Sequence, residues 1–216
     1  AFDDNDFLFT CLNNNPDVKV SPSPVDFAVW RTDSHWQITD KYLPVEKEYT
    51  ELYGKSRYFT RYKHDIVFHS FQYDGFFTFS RKEDPVFHPI LFSRPFPRDN
   101  ESRLKEANSG QWQLLAETPF VVDGYNIVEI SIAGQGQQMF AVNASNKIFG
   151  NSEVCPKNIP INIVGTMGNH FVGYINDNYE LYRNLVAYGF QKGSPEAEDI
   201  LSRGGCCLII YSVGNL

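Results

Sequence analysis

Cys11, Cys155, Cys206 and Cys207 are the residues of this chain with the most restricted chemistry. No pair has the Cys-x-x-Cys spacing of a redox motif or a zinc knuckle, so the thiols point to disulfides or to plain burial. Cys206 and Cys207 open the run Cys206–Val213, which reads as a strand, and neighbouring strand residues face opposite sides. The two sulfurs therefore seek different partners, and Cys11 and Cys155 are the two available. Two disulfides are expected, each joining one member of the pair to one distant cysteine; four buried free thiols is the competing reading. Among the five histidines, His64 and His69 are five apart, an odd interval that sends them to opposite strand faces, where they share no metal. Each histidine reads as a surface or core-edge imidazole. Asp3, Asp4 and Asp6 lack the spaced ligands and glycine of a calcium loop and read as a solvated terminus. Gly134-Gln135-Gly136-Gln137 has the glycine spacing that opens a nucleotide fingerprint, but a strand follows it instead of a phosphate-binding helix, so it reads as a hairpin turn. The chain has no Gly-x-Ser-x-Gly, Walker loop or His-Glu-x-x-His. A dispersed carboxylate pair drawn from the 26 acidic residues is the enzymatic alternative left open. No catalytic residue, cofactor or metal is predicted.

The elements that would position such groups are mostly strands. Phe27–Thr32 and Trp36–Leu43 flank the turn-like Asp33-Ser34, and Ile66–Tyr73 and Phe76–Ser80 flank Asp74-Gly75, the strongest hairpin signal in the chain. Val86–Ser93, Gln111–Ala116, Asn126–Ala133, Gln138–Asn143, Pro160–Gly165, Phe171–Ile175 and Cys206–Val213 follow, with Asn176-Asp177-Asn178 turning into Tyr179–Tyr182. Val128-Glu129-Ile130-Ser131-Ile132 alternates apolar and polar residues, the pattern of a strand with one packed and one wetted face. Two short helices are expected. The first, Pro44–Tyr53, has its proline at the start and Gly54 as a stop. The second has Ser194 as N-cap, Pro195 first, Glu196 and Glu198 in the opening turn and Gly204 as stop. Residues 1–24 read as an irregular arm. Residues 1–60 are expected to cover a sheet edge, and residues 61–216 to form an all-β antiparallel β-sandwich.

Composition agrees. In 216 residues there are 18 Phe and 12 Tyr but only nine Ala against 17 Asn, a balance that favours strands and turns over helices. The net charge of -7 argues against a nucleic-acid partner. The longest apolar run, Cys206–Tyr211, is too short to insert across a bilayer. Four cysteines, the absence of an initiator Met and two glycosylation triplets, Asn100-Glu101-Ser102 and Asn143-Ala144-Ser145, fit a mature secreted chain.

Pro119-Phe120, Gly124-Tyr125-Asn126-Ile127-Val128-Glu129-Ile130 and Phe140-Ala141-Val142-Asn143 together resemble a galectin core. A second register, Ile161–Val164, Asn169–Asp177, a helical turn near Glu198–Leu201 and the closing strand Cys207–Val213, also resembles galectins, so the likeness covers about residues 86–216. It implies a jelly-roll sandwich that binds glycans or glycoproteins without catalysis, as a monomer or homo-oligomer. Carried over residue by residue, it implies Trp112 as the stacking platform, Asn108 and Glu117 beside it, and Arg94 on the preceding strand. His88 is displaced relative to Arg94, and no arginine accompanies Glu117. An indole suits the apolar face of a sugar, while Arg, Asn and Glu satisfy its hydroxyls. The competing reading of Trp112 is a core side chain. Trp30 and Trp36 either line a ligand groove or pack the helix Pro44–Tyr53 against the sandwich. The alternative function is a structural or interaction protein, such as a capsid-type jelly roll or an extracellular assembly module.

Overall fold

A computed structural model describes residues 1–3, 5–10, 27–45, 55, 57–97, 102, 105–106, 111–122, 124–143, 145, 148–149, 162–187, 189 and 192–211. The expected all-β antiparallel class is what the structure has. The chain divides into two compact units, Ala1–Pro119 with Val128–Gln138, and Phe120–Ile127 with Met139–Leu216. The boundary expected at residue 60 is thus not where the chain divides, because strands before and after it share one core.

In the first unit, β1 (Asp6–Thr10), β2 (Phe27–Asp33) and β3 (Ile38–Pro44) form an antiparallel sheet in that order. A second sheet runs β4 (Phe59–Tyr62), β5 (Asp65–Phe68), β6 (Gly75–Phe79) and β7 (Val86–Pro89), again in chain order. Leu8, Ala28 and Val29 of the first sheet meet Ile66, Phe68, Phe77 and Phe79 of the second in one buried cluster. That shared core makes the pair a β-sandwich. Each fully buried side chain of this kind contributes about 1.5–3 kcal/mol. Residues 6–10 are therefore a strand of the sandwich and not part of an irregular arm. The alternation Asp6-Phe7-Leu8-Phe9 gives them a packed face, with Asp6 and Leu8 buried.

Two aspartates read as solvated are instead in ion pairs. Asp6 receives Arg31 Nε at 2.8 Å on one oxygen and Nη2 at 2.5 Å on the other, and Arg81 Nε lies 3.6 Å away. Asp3 pairs with Arg81 at 2.6 Å. The hydrogen bond to Asp6 raises the pKa of Arg31 above its ordinary value, more than burial lowers it.

Asp74-Gly75 does not form a two-residue hairpin turn. The register Ile66↔Phe79, Val67↔Thr78 and Phe68↔Phe77 leaves a longer loop before β6, and Tyr73 N–H closes a turn on Ser70 O at 3.1 Å. His69, expected at the surface or core edge, is buried: Nδ1 lies 2.8 Å from Gly75 O and Nε2 2.9 Å from Leu115 O. Burial, reinforced by Lys55, holds its pKa well below the ordinary value, so the neutral ring donates to one carbonyl at a time. His64 follows β4 in an exposed turn.

β8 (Gln113–Leu115), β9 (Phe120–Val122) and β10 (Tyr125–Ile132) follow, and β10 pairs antiparallel with both. Between β10 and β11 (Gly136–Asn143) the chain turns at Gly134–Gly136, as expected, with both glycines at positive φ.

The second unit adds β12 (Ile148–Phe149) and the sheet β13 (Asn162–Met167), β14 (His170–Asn176) and β15 (Cys206–Tyr211). Phe120, Val122, Ile127, Ala141 and Phe171 form one core there. Two helices pack in the other: α1 (Tyr179–Ala187) and α2 (Pro195–Ser202) bury Tyr182, Leu185 and Leu201 against Ile175. Helix α2 follows its sequence signals: Ser194 Oγ accepts from Ala197 N–H at 3.2 Å, and Gly204 is at positive φ. Helix α1 replaces the extended segment expected over Tyr179–Tyr182. Asn178 Oδ1 caps Leu181 N–H at 2.8 Å, and Tyr182 and Leu185 are three apart on one face. Most of the expected helix Pro44–Tyr53 lies outside the described residues.

Cys206 and Cys207 face opposite sides of β15, as their spacing requires, and among the described residues both are free thiols. Cys207 packs against the α1/α2 core, with its sulfur 3.7 Å from Ala197 O, while Cys206 is exposed. Cys11 and Cys155 lie outside the described residues.

Candidate functional site

The outward face of the first sheet carries an aromatic cluster. β1 turns Phe7 and Phe9 away from the core, their ring centroids 6.4 Å apart. Trp36, from the loop between β2 and β3, stacks on Phe7 at 5.5 Å and 20° and leans on Phe9 at 5.4 Å and 53°. Trp36 is 65% exposed and Phe9 38%. One face of the indole is taken by Phe7, and most of the remaining surface is open to water. Ile38, 56% exposed, extends the apolar strip. Thr32, opposite Phe7 in the register, is buried on this same face, and its hydroxyl has no hydrogen-bond partner among the described residues.

The loop is built to hold that indole. Asp33 Oδ1 accepts from the backbone N–H of His35 at 2.8 Å and of Gln37 at 3.0 Å. Asp33 N–H donates to Gln37 O, and Trp36 N–H donates to Asp33 O, both at 3.1 Å. These bonds fix Trp36 at φ +62°, in the left-handed region, which costs a non-glycine residue about 1–2 kcal/mol. Ser34, His35 and Gln37 on the same loop are all exposed, with Ser34 Oγ 3.5 Å from His35 Nδ1 and Gln37 Nε2 bonded to His35 O at 3.4 Å. An exposed indole on a loop that also carries a hydroxyl, an imidazole and an amide can stack a ring and bond its hydroxyls.

The residues singled out from the sequence lie elsewhere: Arg94 bonds both neighbours of Trp112, while Glu117 belongs to another cluster. Trp112 is half-buried and packs edge-on against Phe96 at 4.8 Å, beside Phe71, Leu114 and Ala116. Its indole N–H is buried without a partner among the described residues. This is the core side chain of the competing reading. Arg94 stays beside the same strand: its Nη1 donates to Gln111 Oε1 at 2.5 Å, and its carbonyl accepts from Gln113 N–H at 2.8 Å. Glu117 belongs to a different cluster, accepting from Arg57 N–H at 3.3 Å. Arg57 Nη2 also lies 3.9 Å from Glu129. Burial pushes Glu129 up, with Arg57 opposing and Glu117 adding to the shift, while burial lowers Arg57. Thr118 Oγ1, bonded to Arg57 O and Tyr58 O, and Thr60 Oγ1, bonded to Pro119 O at 2.5 Å, mark this cluster as a clasp between backbone segments. Asn108 and Asn100 lie outside the described residues. Asn143 ends β11, and its Oδ1 accepts from Ser145 N–H at 3.0 Å. Among the described residues, no three His, Cys, Asp or Glu side chains form a metal-binding group.

The aromatic cluster had a partial signal in the sequence. Phe7 and Phe9 alternate with Asp6 and Leu8, but they fall in a stretch read as an arm. The sequence makes Trp36 the first residue of a strand, Trp36–Leu43, whereas β3 begins at Ile38 and Trp36 lies in the loop before it at a positive φ.

No family model matches the chain, and no curated protein matches it. The fold is similar to the crystal structure of a "Putative exported protein" from Bacteroides fragilis, with a TM-score of 0.60 at 12% identity over 96% of this chain. The chain spans 62% of the length of that protein. Among the described residues, no helix is long and apolar enough to cross a membrane.

Proposed function

We propose that this chain is an exported, lectin-like carbohydrate-binding protein without catalytic activity, and that its sugar stacks on Trp36. One observation carries the reading: an exposed indole backed by Phe7 and locked in a strained backbone by the Asp33 carboxylate. A side chain left open to water at a backbone cost is better explained by a ligand than by packing. The likeness to a protein described as exported supports delivery outside the cytoplasm.

A glycan array probed with wild type and Trp36→Ala tests the proposal. Losing the stack is expected to cost about 2 kcal/mol, some thirtyfold in affinity, with an unchanged thermal midpoint because the ring is exposed. Asp33→Asn, which keeps the acceptor oxygen, is expected to bind as wild type, while Asp33→Ala weakens binding. Wild type that binds no glycan, or Trp36→Ala that binds as wild type, rejects the assignment.

A second reading, an interaction module, is favoured by Leu208, Ile210, Val164 and Met167, which are all more than half exposed in the sheet β13–β15. Concentration-dependent assembly in light scattering, abolished by Leu208→Asp, would support it.

A further inference from the structure

We infer that the Trp36 platform takes a neutral polysaccharide, bound along its chain, and not a free mono- or disaccharide; this ligand class rests on the carbohydrate reading above. Trp36 is 65% exposed on an open sheet face, with Phe7 beneath it and Phe9 beside it. Small ligands are normally held in concave pockets that bury most of their surface. An open plate touches a single sugar on one side only, which leaves little surplus over the cost of association. A chain gains more, because the sugar next to the one on Trp36 reaches the exposed Phe9 at no further cost of bringing the partners together. Phe9, 5.4 Å from the indole and exposed, offers a second ring to an adjacent unit of a polymer.

Charge selects among polymers. The hairpin Asp33–Lys41 carries two carboxylates, Asp33 and Asp40, against one lysine, and the ammonium of Lys41 lies over the Phe27 ring at 5.8 Å. The chain as a whole carries -7. That balance repels uronate-rich or sulfated chains, whereas the Ser34 hydroxyl, His35 ring and Gln37 amide serve uncharged hydroxyls.

The test combines depletion isotherms on insoluble cellulose, chitin and starch, and on a polygalacturonate gel, with calorimetric titrations of the matching mono-, di- and hexasaccharides, for wild type and Trp36→Ala. At least one neutral polymer is expected to retain the wild-type protein. The matching hexasaccharide should bind at least tenfold tighter than the monosaccharide, Trp36→Ala should lose at least tenfold, and polygalacturonate should retain least. A monosaccharide that binds as tightly as its hexasaccharide, or polygalacturonate retained as well as the neutral polymers, overturns this ligand class while leaving the carbohydrate reading intact. No binding to any polymer or oligosaccharide overturns both.

Discussion

Asp6→Ala is expected to lower the unfolding free energy of the first unit by about 3–5 kcal/mol, because it leaves the Arg31 guanidinium buried without its carboxylate. Both oxygens of Asp6 are engaged by Arg31, at 2.8 and 2.5 Å, and the two side chains are only 10% and 16% exposed. Arg31 also donates to Arg81 O at 2.9 Å and lies over the Phe2 ring at 5.2 Å, so it is held in place when its partner is removed. Asp6→Asn keeps the shape and one acceptor but loses the charge, and about half of the alanine effect is expected. Urea unfolding followed by fluorescence measures this as a lower midpoint at constant slope. A loss under 1 kcal/mol for alanine would mean that the pair is solvated and ordinary.

Gly75→Ala is expected to cost about 3 kcal/mol, at the upper end for overpacking. A Cβ at Gly75 would lie 2.2 Å from His88 O and 2.8 Å from the Phe87 ring, and the backbone oxygen cannot rotate away. Gly75 sits opposite Pro89 in the β6–β7 pair, and its φ of +152° is one that side-chain-bearing residues rarely adopt. Its carbonyl also contacts His69 Nδ1 at 2.8 Å, so a shift of this backbone disturbs the buried imidazole as well. The thermal midpoint should fall by 10 °C or so for a unit of this size. An effect below 1 kcal/mol would place the β7 backbone further away than described.

The same glycine shows what could be read from the amino-acid order and what could not. Asp74-Gly75 marks a place where the backbone needs glycine, but the reason is close approach of β7, a non-local contact that no turn rule contains. Helix α2 was legible because its signals, Ser194, Pro195, the two glutamates and Gly204, act within ten residues. Helix α1 was missed because Tyr-Glu-Leu-Tyr is ambiguous over four residues and resolves only with Leu185 and the Asn178 cap. Alternation told correctly that Cys206 and Cys207 face apart, but whether a thiol finds a partner depends on where distant segments lie. For the same reason the surroundings of Trp112 and Trp36 differ from what their neighbours in sequence suggest. Gln111-Trp112-Gln113 looks like a strand with one outward aromatic, yet Phe96 covers it. Trp36 looks like the first residue of a strand that packs a helix, yet it lies in the loop before β3, stacked on Phe7 and exposed.

Indole N–H resonances of the three tryptophans, followed by nitrogen–proton correlation NMR during titration with a bound glycan, locate the ligand directly. The Trp36 signal, assigned by its disappearance in Trp36→Phe, should move with a single saturating curve while the Trp112 signal stays within its line width. A titration that moves Trp112 and leaves Trp36 in place would contradict the account.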